Sequence, residues 1–234
     1  MRVLTPAEGY ALWAPAYAET AVTALESAAV ASLDVVLAGR RVLDAGCGNG
    51  RRLVHAREAG ASVALGVDLT PEMLAQAGVQ TPRLASLARN DSLLLAAGDV
   101  RALPVADAAF DVVWCRLVLG HVADLDAAYA ELGRSCAAGG VVVVTDFHPI
   151  AVEAGHRRTF RDARGEVHEV ENHLHAADAH YLAAARAGLS LRERRDCAVD
   201  DSVRGFYAEA GRLDMYERQR GLSLVLVLVF ERAE

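Results

Sequence analysis

The strongest chemical signal in this chain is a run of three glycines at alternating positions, Val42-Leu43-Asp44-Ala45-Gly46-Cys47-Gly48-Asn49-Gly50. An apolar stretch runs into the turn, and a helical pattern over residues 51–59 leaves it. Glycine takes backbone angles closed to other residues and lets a ligand approach the main chain. The free N–H groups of the following helix point at whatever sits on the turn. This predicts a nucleotide-like ligand at the carboxyl end of a sheet. The spacing is G-x-G-x-G, and Arg51 stands where the third glycine of the dinucleotide fingerprint G-x-G-x-x-G would be. A bulky residue there works against the close helix packing that the fingerprint needs.

Asp68 ends the apolar run Val63-Ala64-Leu65-Gly66-Val67, 22 positions beyond Gly46. A carboxylate at the tip of a second strand accepts two hydrogen bonds from a ribose diol; alternatively, Asp68 or Thr70 caps a helix that starts near Pro71-Glu72. Asp99, in Gly98-Asp99-Val100, can accept from an exocyclic amine such as that of adenine, or serve as an ordinary turn aspartate. The run from Phe110 to Arg116 reads as a strand ending in polar residues, followed by Leu119-Gly120-His121-Val122. His121 and His148 follow the fourth and fifth predicted strands, at the edge where such sheets bind ligands. Neutral imidazole near pH 7 makes both candidate bases. His173 and His175, with Glu169 and Glu171 nearby, invite a metal reading, but no standard ligand spacing is met and no metal is expected.

Positioning these residues takes a parallel sheet. Short apolar runs at 41–45, 62–67, 92–96, 110–115 and 141–146 alternate with helical stretches at 51–59, 71–77 and 124–137, the pattern of βαβ units. Residues 6–38 read as two helices ahead of the first strand, the second apolar at helical spacing over 21–37. Residues 147–175 are polar, arginine-rich and hold five of the eight histidines, which suggests an inserted lid. A helix at 176–187 and strands at 189–195 and 222–231 follow, and the late strand pair suggests an antiparallel edge strand.

Composition narrows the function. The chain has 234 residues, 53% hydrophobic and 24% charged, enough for one sizeable core and one domain. A net charge of -7 argues against nucleic acid, whose binding rests on neutralising phosphates. No lysine occurs, which excludes a Schiff-base amine and a Walker P-loop. Cys47, Cys115, Cys136 and Cys197 form no C-x-x-C pair. The first ten residues lack the apolar stretch of a secretion signal, and no apolar run reaches membrane-spanning length, so a cytoplasmic location without membrane contact is expected.

Taken together, 42–50, Gly66-Val67-Asp68 with Met73, Gly98-Asp99-Val100 and 110–122 resemble the class I S-adenosylmethionine-dependent methyltransferases, most nearly their small-molecule and quinone-type branch. The resemblance runs over about residues 8–146. It implies an α/β Rossmann-like doubly wound sheet, mostly parallel with an antiparallel seventh strand, an N-terminal helical cap (1–38) and an inserted substrate lid (147–175). By that resemblance Gly46, Cys47 and Gly48 line the methionine part of S-adenosyl-L-methionine, Asp68 the ribose, and Asp99 and Val100 the adenine, with Asp44, Asn49, Leu69 and Met73 as further cofactor-binding residues. Cys115 and Arg116 form the floor near the sulfonium, and the aromatic cap residues Tyr10 and Tyr17 fold over it, where a ring face attracts a cation. Relatives often carry an acidic or asparagine pair after the fourth strand; here Arg116-Leu117-Val118-Leu119 stands instead, so substrate contacts do not carry over. The expected activity is methyl transfer to O, N or C of a small molecule, with room for a homodimer. Two alternatives stay open: a methyltransferase-like cofactor-binding protein without transfer, such as a cyclase or regulatory subunit, and an NAD-dependent oxidoreductase, which the glycine spacing disfavours.

Overall fold

Side-chain alternation decides which strands lie in the middle of the sheet. In the last strand Leu226, Leu228 and Phe230 enter the apolar cluster on one face, whereas Val225, Val227 and Val229 enter the cluster on the other. A strand apolar on both sides must be covered on both sides. Each such side chain contributes roughly 1.5–3 kcal/mol when buried.

The computed structural model describes residues 2–77 and 93–234, so the start of the strand predicted at 92–96 lies outside the described residues. Its strands are β1 (Val3–Leu4), β2 (Arg41–Ala45), β3 (Val63–Asp68), β4 (Leu93–Ala97), β5 (Phe110–Arg116), β6 (Cys136–Phe147), β7 (Thr159–Arg161), β8 (Val167–Val170), β9 (Leu189–Ala198) and β10 (Ser223–Arg232). The described α-helices are α1 (Pro6–Trp13), α2 (Ala21–Ala31), α3 (Arg51–Glu58), α4 (Pro71–Ala75), α5 (Leu125–Ser135), α6 (Pro149–Glu153), α7 (Ala177–Arg186), α8 (Arg204–Glu209) and α9 (Leu213–Gln219).

Seven strands form one sheet in the order β4-β3-β2-β5-β6-β10-β9. Pairings among β4, β3, β2, β5 and β6 are parallel, and β10 runs antiparallel to both β6 and β9. This is the expected Rossmann-like sheet with its reversed seventh strand. The reversed strand is not at the edge, however: β10 lies between β6 and β9, and β9 is the edge strand. The reason is composition. Residues 224–230 are buried throughout, while most side chains of Leu-Ser-Leu-Arg-Glu-Arg-Arg-Asp-Cys-Ala in β9 can stand in water.

Successive strands step away in opposite directions from β2 and β5, so the crevice between their carboxyl ends is the switch point where such sheets bind ligands. Helices α2, α3, α8 and α9 cover one face, and α5 and α7 the other. Asp124 begins α5 by accepting from the Ala127 N–H. Thr5 and Glu8 form a reciprocal capping box at α1, with Pro6 in the first helical position.

The two segments flanking the parallel sheet's core are joined. β1 pairs in parallel with β8, and β7 pairs antiparallel with β8, giving a second, three-stranded sheet. Leu4 and Trp13 from the N-terminal segment pack with Phe160 and Val170 from residues 147–175. Trp13 stacks on Phe160 with ring centroids 4.9 Å apart. Gly9 lets α1 lie against β8, since a Cβ there would come within 2.8 Å of Val170 Cγ2.

Candidate functional site

At the switch point a cavity of about 480 Å³ opens over the glycine turn. Gly46 has φ +86°, and a Cβ there would stand 2.2 Å from Val118 Cγ2, so only glycine fits. The Gly46 and Cys47 N–H groups donate to the Val67 carbonyl at 2.7 and 3.0 Å, tying the turn to β3. Gly50, at φ +71°, starts α3 with no side chain capping it.

Asp68 sits at the tip of β3. Its Oδ2 accepts from the Gly48 N–H at 2.7 Å and its Oδ1 from the Thr70 N–H at 2.9 Å. The Thr70 side chain bonds the same carboxylate, which lines the cavity. Burial pushes the carboxyl above its ordinary value, and the two N–H donors and the Thr70 hydroxyl pull it back. Thr70 caps α4 without a side-chain bond, so the capping role weighed for Asp68 takes the form of fixing the Thr70 backbone. Asn49, Leu69, Met73 and Val100 also line the cavity. Asp99 lines it too and is gripped by Arg101 through both Nε and the terminal nitrogen, which lowers its pKa.

The floor differs from the expectation for three residues. Asp44 is fully buried, does not line the cavity, and among the described residues neither carboxylate oxygen has a hydrogen-bond partner. Burial pushes its carboxyl up, against the pull of Arg52 and Arg116. Cys115 is fully buried in the apolar cluster facing α5 and stays outside the cavity, because alternation along β5 turns it into the sheet's packing. Arg116 borders the cavity but points its guanidinium at Glu26 of α2, with Nε to Oε1 at 2.6 Å and a terminal nitrogen to Oε2 at 2.8 Å. Arg52 reaches the same carboxylate at 3.4 Å, and Thr145 donates its hydroxyl to Oε1 at 2.9 Å. Against the cost of burial, Arg52 and Arg116 hold the Glu26 carboxyl at about 2. Leu117 follows at φ +59°, a strained angle for a branched side chain, fixed by its N–H bonds to Thr145.

On the β5–β6 side stand Tyr10, His121 and Arg158. Arg158 donates to the Tyr10 hydroxyl from Nε at 3.2 Å and from a terminal nitrogen at 3.0 Å. With its lone pairs taken, that hydroxyl donates its own hydrogen to His121 Nε2, 3.0 Å away. His121 Nδ1 then carries the other proton and donates to the Glu171 carbonyl at 2.7 Å. Burial, then the Arg158 charge, lower His121 to about 4, so its imidazole is neutral at pH 7. Tyr17 packs against Trp13 and Tyr10 beside this group.

His148 is not brought to the cavity. Its Nδ1 caps α6 by accepting from the Ile150 N–H at 3.2 Å, and its Nε2 meets Asp196 of β9 at 3.0 Å. The proline that follows starts a helix, which turns the imidazole into a cap. His173 and His175 do not converge on a carboxylate pair; His175 Nε2 bonds the Val122 carbonyl at 2.8 Å. Among the described residues, Asp162, Glu166 and His168 do bring three ligand-type atoms within 4.8 Å of one another. Sequence reading missed Glu26, Arg52 and Arg158. Glu26 had a signal, since Val22, Leu25 and Glu26 share one helical face and the first two are apolar. Arg158 had none, because its burial follows from long-range pairing of β1 with β8.

Residues 43–144 match a family described as methyltransferase domain. Among curated proteins, the chain is 29% identical over 198 residues to 27-O-demethylrifamycin SV methyltransferase of Amycolatopsis mediterranei, covering 83% of this chain and 69% of that protein. It is 40% identical over 105 residues to malonyl-[acyl-carrier protein] O-methyltransferase of Erwinia billingiae, which is 45% of this chain and 38% of that protein. The chain thus spans less than half the length of the malonyl relatives it matches. Among solved structures, an S-adenosylmethionine dependent methyltransferase from Mesorhizobium loti shares the fold, with TM-score 0.68, 22% identity, and coverage of 89% of this chain and 98% of that one. No described helix is long and apolar enough to cross a membrane.

Proposed function

We propose that this methyltransferase domain moves a methyl group from S-adenosyl-L-methionine to an O, N or C atom of a small molecule, of natural-product or quinone type. The observation that carries this is Asp68, a carboxylate at the tip of β3 that lines the cavity and is anchored to the glycine turn by the Gly48 N–H. The donor set fits the cofactor. Asp68 suits a ribose diol, and the Gly46 and Gly48 backbone on the cavity wall leaves the main chain open to an amino-acid tail.

When bound, the cofactor supplies an electrophilic methyl group on a cationic sulfonium. The chain's own residues have two tasks, to position the acceptor atom in line and to take its proton where it has one. His121 is the base. The Tyr10 hydroxyl already donates to Nε2, so an acceptor O–H that takes the place of one Arg158 N–H on the Tyr10 oxygen can pass a proton inward as Tyr10 passes its own to His121. Arg158, bonded to the same oxygen, stabilises the negative charge that develops there. The joined segments 1–38 and 147–175 act as cap and lid over the site, a role supported by their shared sheet. An acidic net charge of -7 supports a small-molecule acceptor over nucleic acid, and we include a homodimer and a cytoplasmic location in the proposal.

The test is calorimetric titration with S-adenosylmethionine, S-adenosylhomocysteine and NAD. Binding of the first two without NAD supports the reading; binding of NAD alone refutes it. Transfer of labelled methyl to a small-molecule pool then separates turnover from bare cofactor binding.

A further inference from the structure

Arg158 is a cation in need of a partner. It is 6% exposed, and the described residues place no carboxylate within ion-pair distance of it. The other buried guanidiniums at the cavity, Arg52 and Arg116, share Glu26. Arg158 gives two hydrogen bonds to a neutral phenol, and its fork of five N–H donors has capacity left. It lies 5.3 Å from the Trp13 ring centroid, 5.4 Å from that of Phe147 and 5.9 Å from that of Tyr10. Ring faces ease a buried charge but do not neutralise it.

The surroundings feel that charge. His121 and His156 are both held to about 4, by burial first and Arg158 next. Asp146, the acidic group nearest in effect, spends its carboxylate on the Phe147 and Gly120 N–H groups, and burial raises it to about 7. It makes no bond to Arg158.

We propose that Arg158 is a binding site for a carboxylate carried by the acceptor, so that the substrate is a small organic acid. This rests on the methyl-transfer reading, which gives the cavity a second ligand. The place of Arg158 favours the acceptor over the cofactor's own carboxylate. Asp68, Asp99 and the glycine turn follow β3, β4 and β2, on one side of the switch point. Arg158 follows β6 and stands beside His121, which follows β5, on the other side. Among the described residues the other arginines lining the cavity, Arg51, Arg52, Arg101 and Arg116, each meet a carboxylate, so Arg158 balances one negative charge, which fits a carboxylate better than a phosphate monoester.

The test uses benzoate and its neutral counterpart benzamide, titrated calorimetrically into the protein with and without S-adenosylhomocysteine. The variants are Arg158→Met, which keeps the stem, and Arg158→Lys, which keeps the charge, each checked for folding by thermal unfolding. Benzoate should bind the wild type and benzamide should not. Arg158→Met should lose about tenfold or more of benzoate affinity while S-adenosylhomocysteine affinity stays within about twofold, and Arg158→Lys should restore part of the loss. Benzoate binding that is absent in the wild type, or equal in Arg158→Met, overturns the proposal. So does a tenfold loss of S-adenosylhomocysteine affinity in Arg158→Met, which would assign the cation to the cofactor. Failure of S-adenosylhomocysteine to bind the wild type would sink the methyl-transfer reading instead, and the benzoate arm without cofactor still judges Arg158.

Discussion

Replacing Asp68 by asparagine keeps the shape of the side chain and removes its charge and one acceptor oxygen. In the native protein both oxygens accept a backbone N–H, at 2.7 Å from Gly48 and 2.9 Å from Thr70. Under the proposed reading the carboxylate also accepts the ribose hydroxyls. A hydrogen bond to a charged group contributes about 1.5–3 kcal/mol. Asparagine loses one such bond to its amide nitrogen and weakens the other, a sum of about 2–4 kcal/mol, or roughly 30- to 1,000-fold in affinity. Stability should change less. One loop N–H loses its acceptor, which costs about 1–3 kcal/mol, but the variant is also spared the burial of a carboxylate. Titration of Asp68→Asn with S-adenosylhomocysteine, beside a thermal melt, reads both quantities. A folded variant that binds within threefold of the wild type would refute the ribose assignment. A lowered melting point with unchanged affinity would leave Asp68 as a loop clamp alone.

Two further outcomes follow from buried charges. Glu26→Ala leaves Arg52 and Arg116 without their carboxylate and should destabilise the protein by about 3–5 kcal/mol in urea unfolding at pH 7; a loss below about 1 kcal/mol would show that the pair is not isolated from water. Because the folded Glu26 lies at about 2 against an ordinary 4.5, its contribution is complete above pH 4.5 and fades as the pH falls toward 2. His121 has the opposite chemistry but the same sign. Its folded value of about 4 lies below the ordinary 6.5, so the unfolded chain binds the extra proton between those values and stability is lost as pH falls through that window. The imidazole should show no titration near 6.5 by NMR, and one that does would refute the buried Tyr10–His121 bond.

How much of this was legible depended on the range of the interaction. The glycine turn and Asp68 could be read because neighbours in sequence build them: φ +86° at Gly46 and the Gly48 N–H to Asp68 bond arise within one βαβ unit. The central place of β10 was carried by its unbroken apolar run, although the pattern was read as an edge. His148 looked like a base because it follows β6, but its orientation was fixed by Asp196, which is 48 residues away. Cys115 was misplaced for a simpler reason, since β5 is packed on both faces, Val112 and Trp114 in one apolar cluster and Val113 and Cys115 in the other, so the cavity is reached only at its carboxyl end.

By itself, then, the sequence determined the alternating strands and helices, the turn that only glycine can make, and the carboxylate at the tip of β3. These are local consequences of backbone sterics and of apolar period. Tertiary structure alone decided the partners of charge. Glu26 meets Arg116 across 90 residues, and Arg158 meets Tyr10 across 148. A buried ion's partner is chosen by which segments pack together: for Glu26 the helix α2 against β5, and for Arg158 the N-terminal segment, whose β1 pairs with β8.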